Sequence, residues 1–138
     1  MNIRIGLDTD KKFIISKYPH TKTVIGENGY LVIAEESENI VAFAWSFVQK
    51  IPAPIDRNEM FVNVIEILNQ ENYRKGIASE LLQKLIKLAR EQSLYQIRAY
   101  CDINNISSHK LWEKNNFTIS PVKNQNGQIL GSYITSLL

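Results

Sequence analysis

Apolar residues crowd two neighbouring stretches of this chain in two different rhythms. Positions 61–68 are mostly apolar and β-branched, about the length of a buried strand, and contain no Gly or Pro. From Ile77 onward the apolar positions are Ile77, Ala78, Leu81, Leu82, Leu85, Ile86, Leu88 and Ala89, with Lys84, Lys87 and Arg90 away from the centre of that stripe. This is the spacing of an amphipathic helix. The pattern therefore predicts strand, tight turn and helix, and the rest of the chain is arranged around that unit.

Before it, Ile3–Ile5 alternates like a short strand, and 8–18 predicts a short helix that Pro19 stops. The apolar runs 30–34 and 40–48 predict two strands joined by a polar hairpin loop over 35–39. Pro52 and Pro54 cannot donate ladder hydrogen bonds, so 50–59 reads as a loop. After the helix, 95–101 predicts a strand parallel to 61–68 through a right-handed crossover. Positions 106–115 predict a second helix with Asn105 as its N-cap. Two last strands, 117–122 and 128–137, flank a turn signal at 124–127.

The turn at 73–78 carries the first chemistry. A helix starting there aims free N–H groups and the positive end of its dipole into the turn, which suits a phosphate or diphosphate. Gly76 and Ala78 are small enough to let a ligand oxygen reach the main chain, and Arg74 and Lys75 add positive charge. An ordinary strand-to-helix turn with solvated basic residues fits the same letters. A P-loop is excluded because no Gly is followed by Lys, and a Rossmann fingerprint because Gly76 stands alone.

A strand, then [Gln/Arg]xxGx[Gly/Ala], then an amphipathic helix resembles the acetyl-coenzyme A site of the GNAT superfamily of N-acetyltransferases. Gly76 and Ala78 match, while Tyr73 stands where that family usually has Gln or Arg. About thirty residues on, 104–117 resembles the family's NxxAxxLYEKxGF signature. Asn105, Leu111, Glu113, Lys114 and Phe117 match it. Ser108 takes the Ala position, Trp112 the Tyr and Asn116 the Gly. Asn is the best substitute for Gly in a left-handed helix cap, so the last change keeps the backbone logic.

The resemblance covers roughly 62–138. It implies an α/β fold: a mixed, mostly antiparallel sheet, helices on both faces, and a central parallel strand pair that splays to admit the pantetheine arm. It also implies acetyl-coenzyme A (acetyl-CoA) as co-substrate, with no metal. Ile67 and Leu68 would bond the pantetheine and acetyl carbonyl through their main chains. The diphosphate would lie on Tyr73, Arg74, Lys75, Gly76, Ile77, Ala78 and Ser79. Asn105, Ser108 and Trp112 would complete the cofactor side.

Composition narrows the classes further. The 138 residues are 44% hydrophobic, enough for one core, so a single domain over 1–138 is expected. A net charge of +2 from 16 basic and 14 acidic residues is too balanced for an electrostatic nucleic-acid binder. The start of the chain lacks the apolar run of a secretory signal, and the longest apolar run, 40–45, falls far short of a bilayer span, so no membrane and a cytoplasmic setting are expected. One cysteine, Cys101, forms no internal disulfide, and His20 and His109 are too few and too far apart for a metal site.

Acetyl transfer to an amine needs a base and a leaving thiolate. Glu66 breaks an apolar strand face shared with Val62, Val64 and Leu68 near the reacting end, so it is the candidate base; a strand-end carboxylate facing solvent or pairing with Arg98 is the structural alternative. Many family members protonate the thiolate with the Tyr of LYEK, but an indole N–H cannot titrate in water, so Trp112 is expected to pack. Tyr100, Tyr95 and Ser108 remain as acids, Tyr100 being carried forward as catalytic. Cys101 is expected to be a small buried hydrophobe and His109 to face solvent. The reading is acetyl transfer to a small-molecule or peptide amine by direct attack; the alternative is a non-catalytic acyl-CoA-binding or regulatory module on the same fold. A homodimer is compatible with either.

Overall fold

The computed structural model describes residues 1–72 and 76–138; the sequence expectations for Tyr73, Arg74 and Lys75 lie outside the described residues. Seven strands form one sheet in the order β1-β2-β3-β4-β5-β7-β6. They are β1 (Asn2–Ile5), β2 (Tyr30–Glu36), β3 (Asn39–Lys50), β4 (Asn58–Ile67), β5 (Gln96–Asp102), β6 (Thr118–Lys123) and β7 (Ile129–Leu137). The described residues also form three α-helices, α1 (Asp8–Lys17), α2 (Ile77–Glu91) and α3 (Ile106–Lys114). Among the described residues only β4 and β5 pair in parallel; all other neighbours are antiparallel. None of the described helices is long and apolar enough to cross a membrane.

The apolar stripes decide the layering. Leu81, Leu82, Leu85 and Ala89 of α2 have no exposed surface and pack with Val32, Ala44, Met60 and Ile97 on one face of the sheet. Each such leucine is worth about 1.5–3 kcal/mol relative to leaving it in water. On the opposite face Ile14 of α1 packs with Leu31, Ile33, Phe43 and Trp45. A short 3-10 turn, Pro19–Thr23, follows α1, so one helix and one turn occupy the space between β1 and β2. Arg4 and Asp10 fix this helix: Asp10 Oδ2 accepts from the Leu7 N–H at 2.7 Å and from Arg4 Nη1 at 2.7 Å.

Four strand ends run past their expected limits, at Glu36, Asn39, Lys50 and Asn58. The β2–β3 hairpin closes in two residues, Ser37 and Glu38, both at positive φ (51° and 66°), so the polar residues around them belong to the ladder rather than to a longer loop. Likewise β3 reaches Lys50 and β4 begins at Asn58, which leaves only 51–57 as loop and draws Glu59 into the sheet.

The feature that positions the site is a β-bulge. Along β3, Ser46 faces Val62 but its neighbour Trp45 faces Val64, so Asn63 is left over. The extra residue changes which way the rest of β4 looks. Met60 and Val62, then Ile65 and Ile67, face α2, whereas Val64 and Leu68 join the α1 face. Glu66 therefore shares its face with Val64 and Leu68 and not with Val62, a correction that follows from the bulge. Beyond it the parallel pairing stops: β4 and β5 are paired only from Glu59–Gln96 to Val62–Ala99, and then part.

Candidate active site

The parting of β4 and β5 opens a cavity of about 320 Å³. Its walls are 62–65 and Ile67 of β4, Ala99 and Tyr100 of β5, Ala78 at the start of α2, and Asn105, Ser107, Ser108, Leu111 and Trp112 around α3. A second cavity of about 220 Å³ lies at the N-terminus of α2, against Gly76, Ile77, Ala78, Ser79, Lys110 and Lys114, and shares Ile67, Ala78, Ser107 and Leu111 with the first. Together they make one cleft from helix end to strand gap.

Main-chain groups line both ends of that cleft. Gly76 sits at φ 77°, a left-handed conformation that suits glycine, and a Cβ placed there would meet nothing within 4 Å. Gly76, the N-cap of α2, has no side chain with which to cap it. The first N–H groups of α2, which have no partners within the helix, therefore point into the second cavity with the positive dipole end behind them. Lys110 and Lys114, four residues apart on α3, add charge from the opposite wall. Lys114 was legible as part of the EK pair; Lys110 became visible only once α3 was seen to face α2.

At the other end, Phe43 pairs with Glu66, and the Leu68 N–H bonds the Val41 carbonyl at 2.9 Å. Antiparallel strands alternate, so Ile65 and Ile67 turn their N–H and C=O away from β3 and toward the gap. Of the two residues expected to offer main-chain bonds, Leu68 has its N–H spent on β3, and Ile65 joins Ile67 instead.

The side chains on α3 are mutually fixed. Asn105 Oδ1 accepts from the Ser108 N–H at 3.1 Å, which makes Asn105 the expected N-cap while it lines the cleft. Trp112 is buried, packs at a tilt against Phe117 with ring centroids 4.9 Å apart, and donates its indole N–H to Ser108 Oγ at 3.1 Å. Asn116 adopts φ 63°, the left-handed geometry expected where the signature has Gly. Asn115 Nδ2 donates to Ser79 Oγ at 3.2 Å, tying the end of α3 to the start of α2.

Three sequence expectations change here. Arg98 pairs with Glu59, with Nη2 2.8 Å from Oε2, and not with Glu66. Tyr95 lies at the closed end of the strand pair, under Arg57, so it is remote from the gap. His109 is half-buried rather than facing solvent: Nδ1 is 2.9 Å from the Asn105 carbonyl and 3.3 Å from Cys101 Sγ. The carbonyl can only accept, so Nδ1 carries the proton. Cys101 itself is buried, as expected. Tyr100 is 41% exposed beside the cleft and packs edge-on against Tyr133, 5.4 Å away.

Glu66, between Ile65 and Ile67 on the parted end of β4 and turned to the α1 face, lines neither cavity and is held by a residue that the sequence did not single out for it. His20 Nε2 lies 2.8 Å from Glu66 Oε2. A second unanticipated group, at the closed end, is the buried carboxylate of Glu59, which accepts from Gln49 Nε2 and Gln96 Nε2, each at 2.7 Å, as well as from Arg98. Burial pushes the Glu59 carboxyl up, but the hydrogen bonds from Arg98, Gln96 and Gln49 and the Arg98 charge outweigh it and hold the group below its ordinary value.

Several solved acetyltransferases share this fold. The ribosomal-protein-alanine N-acetyltransferase from Brucella melitensis superposes with a TM-score of 0.78 at 18% identity, over 100% of both chains. A GNAT-family acetyltransferase from Streptococcus pneumoniae gives 0.76 at 14% identity over 99% of each chain. One from Elizabethkingia anophelis with acetyl-CoA bound gives 0.65 at 16%, over 99% of this chain and 97% of that one. No curated protein sequence matches this one. The chain belongs to the acetyltransferase (GNAT) family, whose sequence model matches residues 7–117.

Proposed function

We propose that this protein is a single-domain, acetyl-CoA-dependent N-acetyltransferase that moves an acetyl group to a small-molecule or peptide amine by direct attack, without an acyl-enzyme. The observation that carries this reading is the pair of adjoining cavities, with four lining residues in common, between the start of α2 and the gap between β4 and β5. Bound there, acetyl-CoA would supply an acetyl group activated as a thioester. The first-turn N–H groups of α2, with Lys110 and Lys114, would hold its diphosphate. Main-chain groups of Ile65 and Ile67 would hold the arm, with Asn105 and Ser108 as polar neighbours. Glu66 takes the proton from the acceptor ammonium, so that a neutral amine meets the carbonyl.

Glu66→Gln tests this role. Turnover of whichever amine a substrate panel identifies should fall about 10²-fold or more, while acetyl-CoA affinity stays unchanged. The loss should be greatest at low pH, where the acceptor is mainly protonated. An unaltered pH–rate profile would remove Glu66 as the base.

Trp112 bears on the leaving group. Its indole is bonded to Ser108 and has no titratable proton, and a thiol with a pKa near ~8.5 leaves tolerably as thiolate. Trp112→Phe should therefore keep transfer while losing about 1–3 kcal/mol of stability, and Trp112→Tyr should hold or raise transfer. Loss of transfer in Trp112→Phe at unchanged affinity and Tm would instead give the indole N–H a part in the reaction. A second reading, a binding module without catalysis, draws on the same buried Trp112; the absence of any acetylated amine, with acetyl-CoA bound, would favour it.

A further inference from the structure

The Pro19–Thr23 turn reaches across to β4 through two side chains. Asn63, the bulge residue, donates Nδ2 to the Val24 carbonyl at 2.9 Å, and three residues further along β4 Glu66 meets His20. The His20 side chain keeps 62% of its surface in solvent, and its ring meets the Glu66 carboxylate and lies edge-to-face with Tyr18, ring centroids 6.4 Å apart. Glu66 is more enclosed, with 27% of its side chain exposed.

A carboxylate can only accept, so in this contact His20 donates through Nε2–H. Oε2 of Glu66 is thereby spoken for. Oε1 is left as the oxygen available to an ammonium. A free glutamate has three side-chain torsions to settle before its oxygen points usefully, and an incorrectly aimed base loses rate steeply with distance.

We propose that His20 is a positioning residue for acetyl transfer: its Nε2–H pins one oxygen of Glu66 and so aims the other at the acceptor nitrogen. This rests on the reading of Glu66 as the base. It makes the 3-10 turn after α1 part of the working site, so the turn does more than connect α1 to β2.

The test is a set of variants assayed for amine acetylation over a range of acetyl-CoA concentrations up to saturation, with Tm measured for each. His20→Ala should lower kcat about 10-fold with the KM for acetyl-CoA unchanged. His20→Gln, whose amide nitrogen lies at a similar reach and still donates, should restore most of that loss. In a Glu66→Gln background, His20→Ala should change kcat less than about twofold, because the carboxylate it aims has gone. Equal losses from His20→Ala in both backgrounds, or failure of the Gln variant to restore rate, would overturn the proposal. A wild-type rate in His20→Ala alongside an inactive Glu66→Gln would remove His20 and leave the base standing. A fully active Glu66→Gln would remove both.

Discussion

Gly76→Glu should abolish the thermal stabilisation that acetyl-CoA gives the wild-type protein. A ligand at about 100 times its Kd adds roughly 2.7 kcal/mol, which for a domain of this size raises Tm by roughly 10 °C. The glutamate side chain would enter the open space in front of the α2 N–H groups and bring negative charge to where a diphosphate needs positive charge. It must also adopt φ 77°, which is strained for any residue with a Cβ and costs about 1–2 kcal/mol. Gly76→Asn separates the two effects, since Asn tolerates the left-handed region and is neutral. That variant should keep part of the Tm shift. A Gly76→Glu protein that folds and binds normally would show that the start of α2 is not the phosphate site.

The largest effect on stability is expected at Glu59. The carboxylate is 1% exposed and accepts hydrogen bonds from three side chains, so Glu59→Ala strands Arg98 and two amides together. Breaking a buried pair costs about 3–5 kcal/mol, and Arg98's side chain, 28% exposed, points to the lower end of that range. Its pH dependence has a definite sign. The folded-state pKa lies below the ordinary value of 4.5, so the stabilisation is present above that value and is lost as pH falls through the depressed one. Asp10 and Glu35, both held low first by hydrogen bonds from Arg4, lose stability in the same direction. Urea unfolding at neutral and acidic pH should show a shallower acid loss in Glu59→Gln than in wild type. A Glu59→Ala midpoint equal to wild type would deny the network any part in stability.

The strand–turn–helix unit and the α3 signature were legible because each depends on neighbours close in sequence. The α2 stripe repeats with the helix, Asn105 caps the residues just after it, and Asn116 answers a local demand for positive φ. The bulge was not legible. Asn63 is one polar residue in an apolar run, and only pairing against β3 reveals that it is surplus, after which Val62 and Glu66 fall on opposite faces. Glu59 stood near two prolines and read as loop because its partners lie 10, 37 and 39 residues away. His20 escaped for the same reason: its partner is 46 residues distant. Hydrogen bonds across the sheet fix the strand ends at Glu36, Lys50 and Asn58, and ladders are indifferent to the polarity of exposed side chains.

The four rungs between β4 and β5 give the molecule a mechanical character. Strands β1–β4 and strands β5, β7 and β6 are two plates joined in the sheet along Glu59–Gln96 to Val62–Ala99. The last rung works as a fulcrum. On one side the plates open into the cleft; on the other, three rungs away, Glu59 grips Gln96 and Arg98 like a rivet. Anything wedged into the open end applies a torque that the rivet must resist. A charged, hydrogen-bonded fastening at that place lets the cleft take up a load while the sheet keeps its shape.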